Sequence, residues 1–434
     1  MKILIIGQCT LHWGRMEFGN IGNYYIIEPF IRELKINFPN CEISTTMQMS
    51  SSFCEREGVR VLPMDLYYSW SKDELSKAEN ELKLAKKISR EGVLEATTPY
   101  IDAVMESDLV IDFSGDIWGD NADFLGDDRF YVGLCKDRVS QLLGKKTIML
   151  AGSPGPFSAN KNLDFAKEVF KGFDIVSNRE SLSRDILVKN DFDVSNLYDL
   201  ACPAFLFEPK KIPEIDAFLE GEGLMKSKKP VIGFVLCGWN FIEGPFDKWP
   251  ILDDEYTVFA EAVEHIEALG AKVCLMSHSN GFIPGKEPFK LIHGRDYPIT
   301  KQLQDVIKKR GIAKDVCALD GVYDAWTTKA IIGNFDMFVS GRIHAAVSAL
   351  SQSIPTVIID YGHEPKAHKL KGFAIEAGAL NYVADPADNK DLKNKIDECW
   401  NNLSSYKKEL NNKIPSTKIK AKSNFTLIKE LFEK

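Results

Sequence analysis

The segment that decides the fold runs from Met337 to Leu370 and reads MFVSGRIHAAVSALSQSIPTVIIDYGHEPKAHKL. A short apolar run, MFVS, leads through Ser340-Gly341-Arg342 into residues with helical spacing of apolar side chains, and a second run, TVII, follows. Strand, helix and strand in this order are typical of two parallel strands joined by a crossover helix. The segment therefore predicts an α/β fold with a parallel sheet.

The same alternation extends outward from this segment in both directions. In the first half of the chain it predicts strands at Ile3–Ile6, Glu42–Thr46, Leu109–Asp112, Thr147–Leu150 and Asp174–Ser177. In the second half it predicts strands at Val231–Leu236, Lys272–Met276, Cys317–Leu319, Met337–Ser340 and Thr356–Ile359. A proline- and lysine-containing stretch, residues 208–230, interrupts the pattern between the two series.

The chain has 434 residues, which is long enough for two domains. We predict two Rossmann-like domains facing a cleft, in a GT-B-like arrangement of parallel sheets with crossover helices. The predicted divisions are 1–207 for the N-terminal domain, 208–230 for the linker, 231–395 for the C-terminal domain and 396–434 for a helical tail. Ligands of such sheets bind beyond the C-terminal ends of the strands, so candidate residues are sought there.

Composition and charge exclude several classes of protein. The formal net charge of -8 argues against a nucleic-acid-binding protein, which needs a basic face. The nine cysteines are scattered without a CxxC pair, which indicates reduced thiols and no metal site. No apolar stretch has the length of a signal peptide core or a membrane span. The expected location of the protein is the cytoplasm. The lysine-rich tail leaves open a peripheral position at the inner face of the membrane. The oligomeric state is not predicted.

The turn Ser340-Gly341-Arg342 is a candidate anion site. A helix that starts directly after a strand presents free backbone N–H groups and a favourable dipole to a negative charge. Gly341 allows close approach, and Arg342 offers a planar fork for a carboxylate or phosphate. His344 lies in the first helical turn, where an imidazole beside a bound anion suits acid or base catalysis; a structural role as a helix cap stays open.

Polar residues also follow two predicted strands of the first half. Gly115-Asp116 closes the strand Leu109–Asp112, and a carboxylate at position 116 can accept a hydroxyl proton, with a turn or N-cap role as the alternative. Arg179 follows the strand Asp174–Ser177 and is a second candidate ligand for the anion. Its alternative role is a surface ion pair with Glu180.

Two further segments complete the candidate set. Tyr361 and Lys366 follow the strand Thr356–Ile359, and Lys366 can bind an anion. Near the start of the chain, Gly19-Asn20-Ile21-Gly22-Asn23 is similar to a glycine-rich phosphate loop, although it lacks the GxGxxG spacing and the Walker lysine. Asn20 is the candidate ligand of this loop.

With these residues in place, the sequence resembles the polysaccharide pyruvyl transferase family. The family has a GN-x-G loop near the start, a G-D turn in the first domain, an arginine after a later strand, S-x-R-x-H in the second domain and a Y-x-x-K element. Here these are Gly19-Asn20-Ile21-Gly22, Gly115-Asp116, Arg179, Ser340-Gly341-Arg342-Ile343-His344 and the segment from Tyr361 to Lys366, which is longer by two residues. The chain departs from the family at Asn23, commonly Asp, and at Phe113 and Ser114, commonly glycines.

The resemblance implies transfer of a pyruvyl group from phosphoenolpyruvate to a sugar of a polysaccharide or glycolipid precursor, giving a pyruvate ketal. Phosphoenolpyruvate is then a co-substrate, no cofactor is expected, and the sugar acceptor is open to linkage with a lipid. The resemblance assigns the acceptor side to the N-terminal domain and the anion, or donor, side to the C-terminal domain. His344 is expected as the acid, Arg342 and Arg179 as the anion clamp, and Asp116 as the base or acceptor ligand.

Two other classes of function stay open at this point. A sugar-nucleotide glycosyltransferase or epimerase shares the two-domain arrangement and also binds phosphate at a helix start of the second domain. A non-catalytic binding relative would keep the fold without the chemistry, and the altered Phe113-Ser114 wall makes that class conceivable. Binding of nucleotides, or ligand binding without turnover, distinguishes these classes from the transferase.

Overall fold

The computed structural model describes residues 1–9, 15–92, 96–158, 160–209, 219–222, 224, 229–241, 251–283, 289–362 and 367–433. The chain divides into two compact units. Unit 1 comprises Met1–Met16, Glu28–Pro203 and Lys420–Lys434, and unit 2 comprises Glu17–Ile27 and Ala204–Ile419. The units are therefore not continuous in sequence. Residues 17–27, near the start of the chain, belong to unit 2, and residues 420–434 belong to unit 1.

Unit 1 contains a seven-stranded parallel sheet in the order β3-β2-β1-β4-β5-β6-β7. Its strands are β1 Lys2–Ile6, β2 Glu42–Thr45, β3 Val59–Val61, β4 Leu109–Asp112, β5 Lys146–Gly152, β6 Ile175–Asn178 and β7 Leu197–Asp199. The central strands are apolar on both faces because helices cover both, and all four residues of β4 are buried. The helices of this part of the chain are α1 Ile21–Asn37, α2 Ser51–Glu57, α3 Glu74–Glu91, α4 Pro99–Met105, α5 Arg129–Leu142, α6 Leu163–Lys171 and α7 Leu182–Lys189.

Unit 2 contains a six-stranded parallel sheet in the order β12-β9-β8-β13-β14-β15. Its strands are β8 Val231–Val235, β9 Lys272–Leu275, β12 Val316–Ala318, β13 Met337–Ser340, β14 Thr356–Ile359 and β15 Val383–Ala384. A separate antiparallel pair, β10 Asn280–Ile283 and β11 Lys290–His293, lies between β9 and the next helix. Sequence patterning missed this pair because its strands are short and partly exposed, without a buried apolar run.

The later helices are α8 Thr257–Ala268, α9 Asp296–Arg310, α10 Ala325–Ile332, α11 Ile343–Leu350, α12 Ala367–Ala377, α13 Asn389–Asn401 and α14 Leu403–Glu433. The last of these, α14, contributes to both cores. Within unit 2 the Thr417 hydroxyl donates to the Glu376 carbonyl at 2.9 Å. Within unit 1 Phe425 packs on Phe30 at 5.3 Å between ring centroids, and the Asn424 side chain is fully buried. The predicted helical tail is thus part of the packed structure.

In each unit the strand order reverses direction between two central neighbours. The reversal falls between β1 and β4 in unit 1 and between β8 and β13 in unit 2, as in Rossmann-type sheets. The predicted fold class, α/β with two Rossmann-like parallel sheets and crossover helices, is confirmed. Among the described residues, none of the helices has the length and hydropathy that a bilayer span requires.

Candidate functional site

The turn after β13 is built by hydrogen bonds within unit 2. The Gly341 N–H donates to the Val235 carbonyl at 2.7 Å, and the Ser340 hydroxyl donates to the Arg342 carbonyl at 2.9 Å. Glycine is required at 341 because a Cβ there would lie 2.0 Å from Oδ1 of Asn240. Ser340 and Gly341 therefore shape the turn, and Arg342 precedes α11 in an extended conformation.

Arg342 is 8% exposed and forms a bidentate ion pair with Asp296, the first residue of α9. Its Nε and Nη2 groups each donate to one carboxylate oxygen of Asp296, which is fully buried. Burial alone would lower the pKa of Arg342, but the attraction of Asp296 outweighs it and the pKa is raised. The sequence analysis took the guanidinium of Arg342 as available to a carboxylate or phosphate. In the structure, Asp296 occupies the edge formed by Nε and Nη2, so a bound anion would have to approach the other edge.

His344 lies one residue into α11, where the glycine loop of the chain start packs against it. A Cβ added at Gly22 would lie 2.5 Å from the His344 Cβ and 2.7 Å from its Nδ1. The ring of Phe373 lies 5.7 Å from the imidazole on another side. The GN-x-G loop and the S-x-R-x-H element, far apart in sequence, thus meet within unit 2.

Asn20 holds the start of α1. Its Oδ1 accepts the Gly22 N–H at 3.1 Å, and its carbonyl accepts the Asn23 N–H at 2.9 Å. Its backbone also forms an isolated antiparallel bridge with Ser279, which follows β9. These contacts give Asn20 a helix-capping role and fix the glycine loop against unit 2.

His278 also belongs to this sheet edge, and the sequence reasoning missed it. It follows β9 by three residues, is fully buried, and packs against the ring of Tyr25 with 5.4 Å between centroids. Burial, followed by the charges of Arg342 and His344, lowers the pKa of His278 well below its usual value. The rule that selected Arg342, a polar residue beyond a predicted strand end, would have selected His278 as well.

The remaining candidates of unit 2 are Tyr361 and Lys366. Tyr361 follows β14, is 6% exposed, and its ring centroid lies 5.7 Å from that of Trp239, which follows β8. Tyr361 therefore reaches the same sheet edge as the turn after β13. Lys366 lies outside the described residues.

In unit 1 the structure brings Gly115, Asp116 and Arg179 together at the C-terminal ends of β4 and β6. Arg179 is 3% exposed, its Nη2 lies 3.8 Å from Oδ1 of Asp116, and its Nε donates to the Ser153 hydroxyl at 3.0 Å. Gly115 adopts φ +61°, which favours glycine. Glu180, the partner in the alternative surface ion pair, is fully buried, and its carboxylate accepts the Ser183 N–H at 3.1 Å.

Beneath this turn lies a pair of fully buried carboxyl groups, Asp112 and Asp137. Asp112 accepts hydrogen bonds from the N–H and hydroxyl of Ser114, both at 2.8 Å. Burial raises the pKa of Asp112 to about 6, and burial together with the charge of Asp112 raises the pKa of Asp137. Ser114, where the family commonly has glycine, therefore takes part in the support of the Gly115-Asp116 turn.

The fold is thus an α/β fold of two units, each with polar groups at the C-terminal edge of its parallel sheet. The chain belongs to the polysaccharide pyruvyl transferase family, whose model matches residues 20–363. It is accordingly a transferase. The match covers the GN-x-G loop from Asn20 onward, the G-D turn, Arg179 and the S-x-R-x-H element.

Individual relatives are more distant. The amylovoran biosynthesis protein AmsJ of Erwinia amylovora is 23% identical over 379 residues, which cover 84% of this chain and 84% of AmsJ. The crystal structure of Anabaena HepE in complex with UDP has a TM-score of 0.60 at 13% identity and covers 100% of both chains. The UDP-GlcNAc 2-epimerase of Neisseria meningitidis bound to UDP-GlcNAc has a TM-score of 0.54 at 11% identity, again covering 100% of both chains. The two structural similarities show the fold alone.

Proposed function

We propose that the protein transfers the pyruvyl group of phosphoenolpyruvate to two hydroxyls of a sugar in a polysaccharide or glycolipid precursor, forming a pyruvate ketal. The observation that carries this proposal is the arrangement at the start of α11, where the buried cation Arg342 directly precedes the helix and the imidazole of His344 lies in its first turn. Membership of the family and similarity to a protein of amylovoran biosynthesis support the choice of reaction.

The reaction needs one proton donor and an anion site. A proton adds to the methylene carbon of phosphoenolpyruvate, and the adjacent carbon gains oxocarbenium character. The two sugar oxygens then form bonds to that carbon, the bond to the phosphate oxygen breaks, and phosphate leaves. One hydroxyl proton restores the acid and the other leaves with the phosphate or solvent, so the balance requires no cofactor.

We assign the side chains to these steps as follows. His344 donates the proton to the methylene carbon, because its imidazole can exchange a proton near neutral pH. The edge of Arg342 that does not face Asp296 binds a carboxylate or phosphate oxygen, with the N–H groups at the start of α11. Asp116, with Arg179 at 3.8 Å, is assigned to the sugar hydroxyls as base or acceptor ligand.

We also assign the reaction to the cytoplasm. All nine cysteines are free thiols, which agrees with a reducing compartment. Phosphoenolpyruvate is a small anion of that compartment, and a lipid-linked acceptor would be met at the membrane surface.

The test uses His344→Gln, because Arg342→Ala would leave the buried Asp296 carboxylate without its partner and would also destabilise the fold. Calorimetric titration with phosphoenolpyruvate should show binding by both the wild type and His344→Gln. Phosphate release in the presence of a sugar acceptor panel should fall by about 100-fold or more in the variant. The matched control is His265→Gln on α8, whose imidazole pairs with Asp397 at 2.7 Å outside the site.

Two results would contradict the proposal. Full phosphate release by His344→Gln would remove the acid assignment. Tight binding of nucleotide diphosphates or nucleotide sugars, without a response to phosphoenolpyruvate, would instead favour the sugar-nucleotide class.

A further inference from the structure

His278 presents a buried imidazole for which the described residues provide no hydrogen-bond partner. Both of its ring nitrogens are buried and lack a partner within the described part of the chain. Unpaired buried polar atoms are rare in folded proteins because they lose their hydrogen bonds to water without replacement. An imidazole with two such atoms is therefore a candidate for contact with a bound molecule.

The surroundings of His278 contain further polar atoms of the same kind. The Tyr25 hydroxyl and the Ser348 Oγ are buried and interact with each other, but they make no hydrogen bond of normal geometry with any described residue. Tyr25 lies in α1 and Ser348 in α11, so the groups come from separate elements of unit 2. Because the ring of Tyr25 packs against His278, the imidazole belongs to a buried polar cluster and is not an isolated packing fault.

The charges near His278 determine its protonation state. Burial and the nearby side chains Arg342 and His344 all oppose a positive charge on the ring, so they favour the neutral imidazole. A neutral imidazole keeps one N–H donor and one lone-pair acceptor. It can thus donate to an anion that lies beside Arg342 without adding a positive charge of its own.

We propose that His278 is a substrate-binding residue that donates a hydrogen bond to the anionic group, carboxylate or phosphate, held at the edge of Arg342 that does not face Asp296. The proposal rests on the proposed function, in which that anion belongs to phosphoenolpyruvate. His278 would fix the orientation of the anion relative to His344, since it approaches from β9 whereas Arg342 and His344 follow β13. None of the motifs that carry the family resemblance includes this position.

The test compares two substitutions at position 278. His278→Phe keeps a ring of similar size and removes both unpartnered nitrogens, so its melting temperature should equal or exceed that of the wild type. Its dissociation constant for phosphoenolpyruvate should rise by about 10- to 100-fold, the usual effect of a lost hydrogen bond to a charged group. His278→Gln retains a donor and should recover part of the affinity, whereas the control His265→Phe should leave the affinity unchanged.

A measurement on the wild type keeps the inference testable even if His278→Phe does not fold. Histidine labelled with 15N should give ring signals of a neutral imidazole for His278, assigned by their loss in His278→Gln. These signals should shift when phosphoenolpyruvate saturates the protein. Unchanged signals at saturation, or unchanged affinity in a folded His278→Phe, would overturn the inference.

Inorganic phosphate, titrated in parallel, separates this inference from the proposed function. If the wild type binds phosphate but not phosphoenolpyruvate, the proposed reaction fails, and the phosphate affinity of His278→Phe still decides the role of His278. If the wild type binds neither anion, both proposals fail. A lower melting temperature with unchanged affinity would give His278 a purely structural role.

Discussion

Replacing Gly22 with alanine tests whether the loop near the start of the chain sets the position of His344. The new methyl group would lie 2.5 Å from the Cβ of His344 and 2.7 Å from both its Cγ and its Nδ1. Carbon atoms in contact are normally about 3.5 to 4.0 Å apart. The imidazole, the start of α11 or the loop must therefore move by about 1 Å to accept the substitution.

The expected effects on stability and on turnover differ in size. Alanine within a helix is favoured over glycine by up to about 1 kcal/mol, whereas overpacking costs about 1 to 3 kcal/mol. The free energy of unfolding should therefore fall by about 3 kcal/mol at most. A displacement of about 1 Å in an acid catalyst can cost about 100-fold in rate, so turnover should fall much further than stability suggests.

The assay is phosphate release from phosphoenolpyruvate with a sugar acceptor, alongside urea denaturation of each protein. Gly221→Ala is the matched control, because a Cβ at that glycine meets nothing within 4 Å. Turnover in Gly22→Ala equal to that of the control would show that the loop does not position His344. A loss of turnover fully explained by unfolding would refute the positional argument as well.

Two other substitutions test buried charges. Burial raises the pKa of both Asp112 and Asp137, so the stability that the protonated groups give is present below the ordinary carboxyl pKa and is lost as the pH rises through the raised pKa values, which is about 6 for Asp112. Asp137→Asn removes one of these two buried carboxyl groups, so its free energy of unfolding at about pH 8 should exceed that of the wild type. Asp296→Asn leaves the buried Arg342 without its counter-charge and should lose about 3 to 5 kcal/mol in urea denaturation.

Aspartates that are at least partly exposed supply the controls for these two variants. Asp174 pairs with Lys146 at 3.0 Å at the surface of unit 1, and Asp320 pairs with Lys301 at 3.1 Å at the surface of unit 2. Their replacement by asparagine should change stability by less than about 1 kcal/mol, because solvent screens such pairs. An unchanged pH dependence in Asp137→Asn, or a loss in Asp296→Asn no larger than in Asp320→Asn, would contradict the assigned charges.

The sequence alone determined the arrangement of strands and helices that carries the site. Leu109–Asp112, Met337–Ser340 and Thr356–Ile359 were predicted with their observed bounds, because a strand buried on both faces reads as a continuous apolar run. The turn after Met337–Ser340 was predicted for the same reason, since the helical spacing begins directly after the apolar run ends. Local periodicity contains this information, and the family motifs lie at the strand ends that it defines.

Only the tertiary structure decided which groups meet at those strand ends. Gly22 packs against His344, and Asp296 occupies one edge of Arg342. His278 is buried, with the charges of Arg342 and His344 acting on it. Gly22, Asp296 and His278 nevertheless come from different parts of the chain. Residues 17–27 likewise pack in the unit formed by the later part of the chain. Periodicity shows which face of an element is buried but not which distant side chain packs on it, because hydrogen bonds and ion pairs between elements depend on how the whole chain packs.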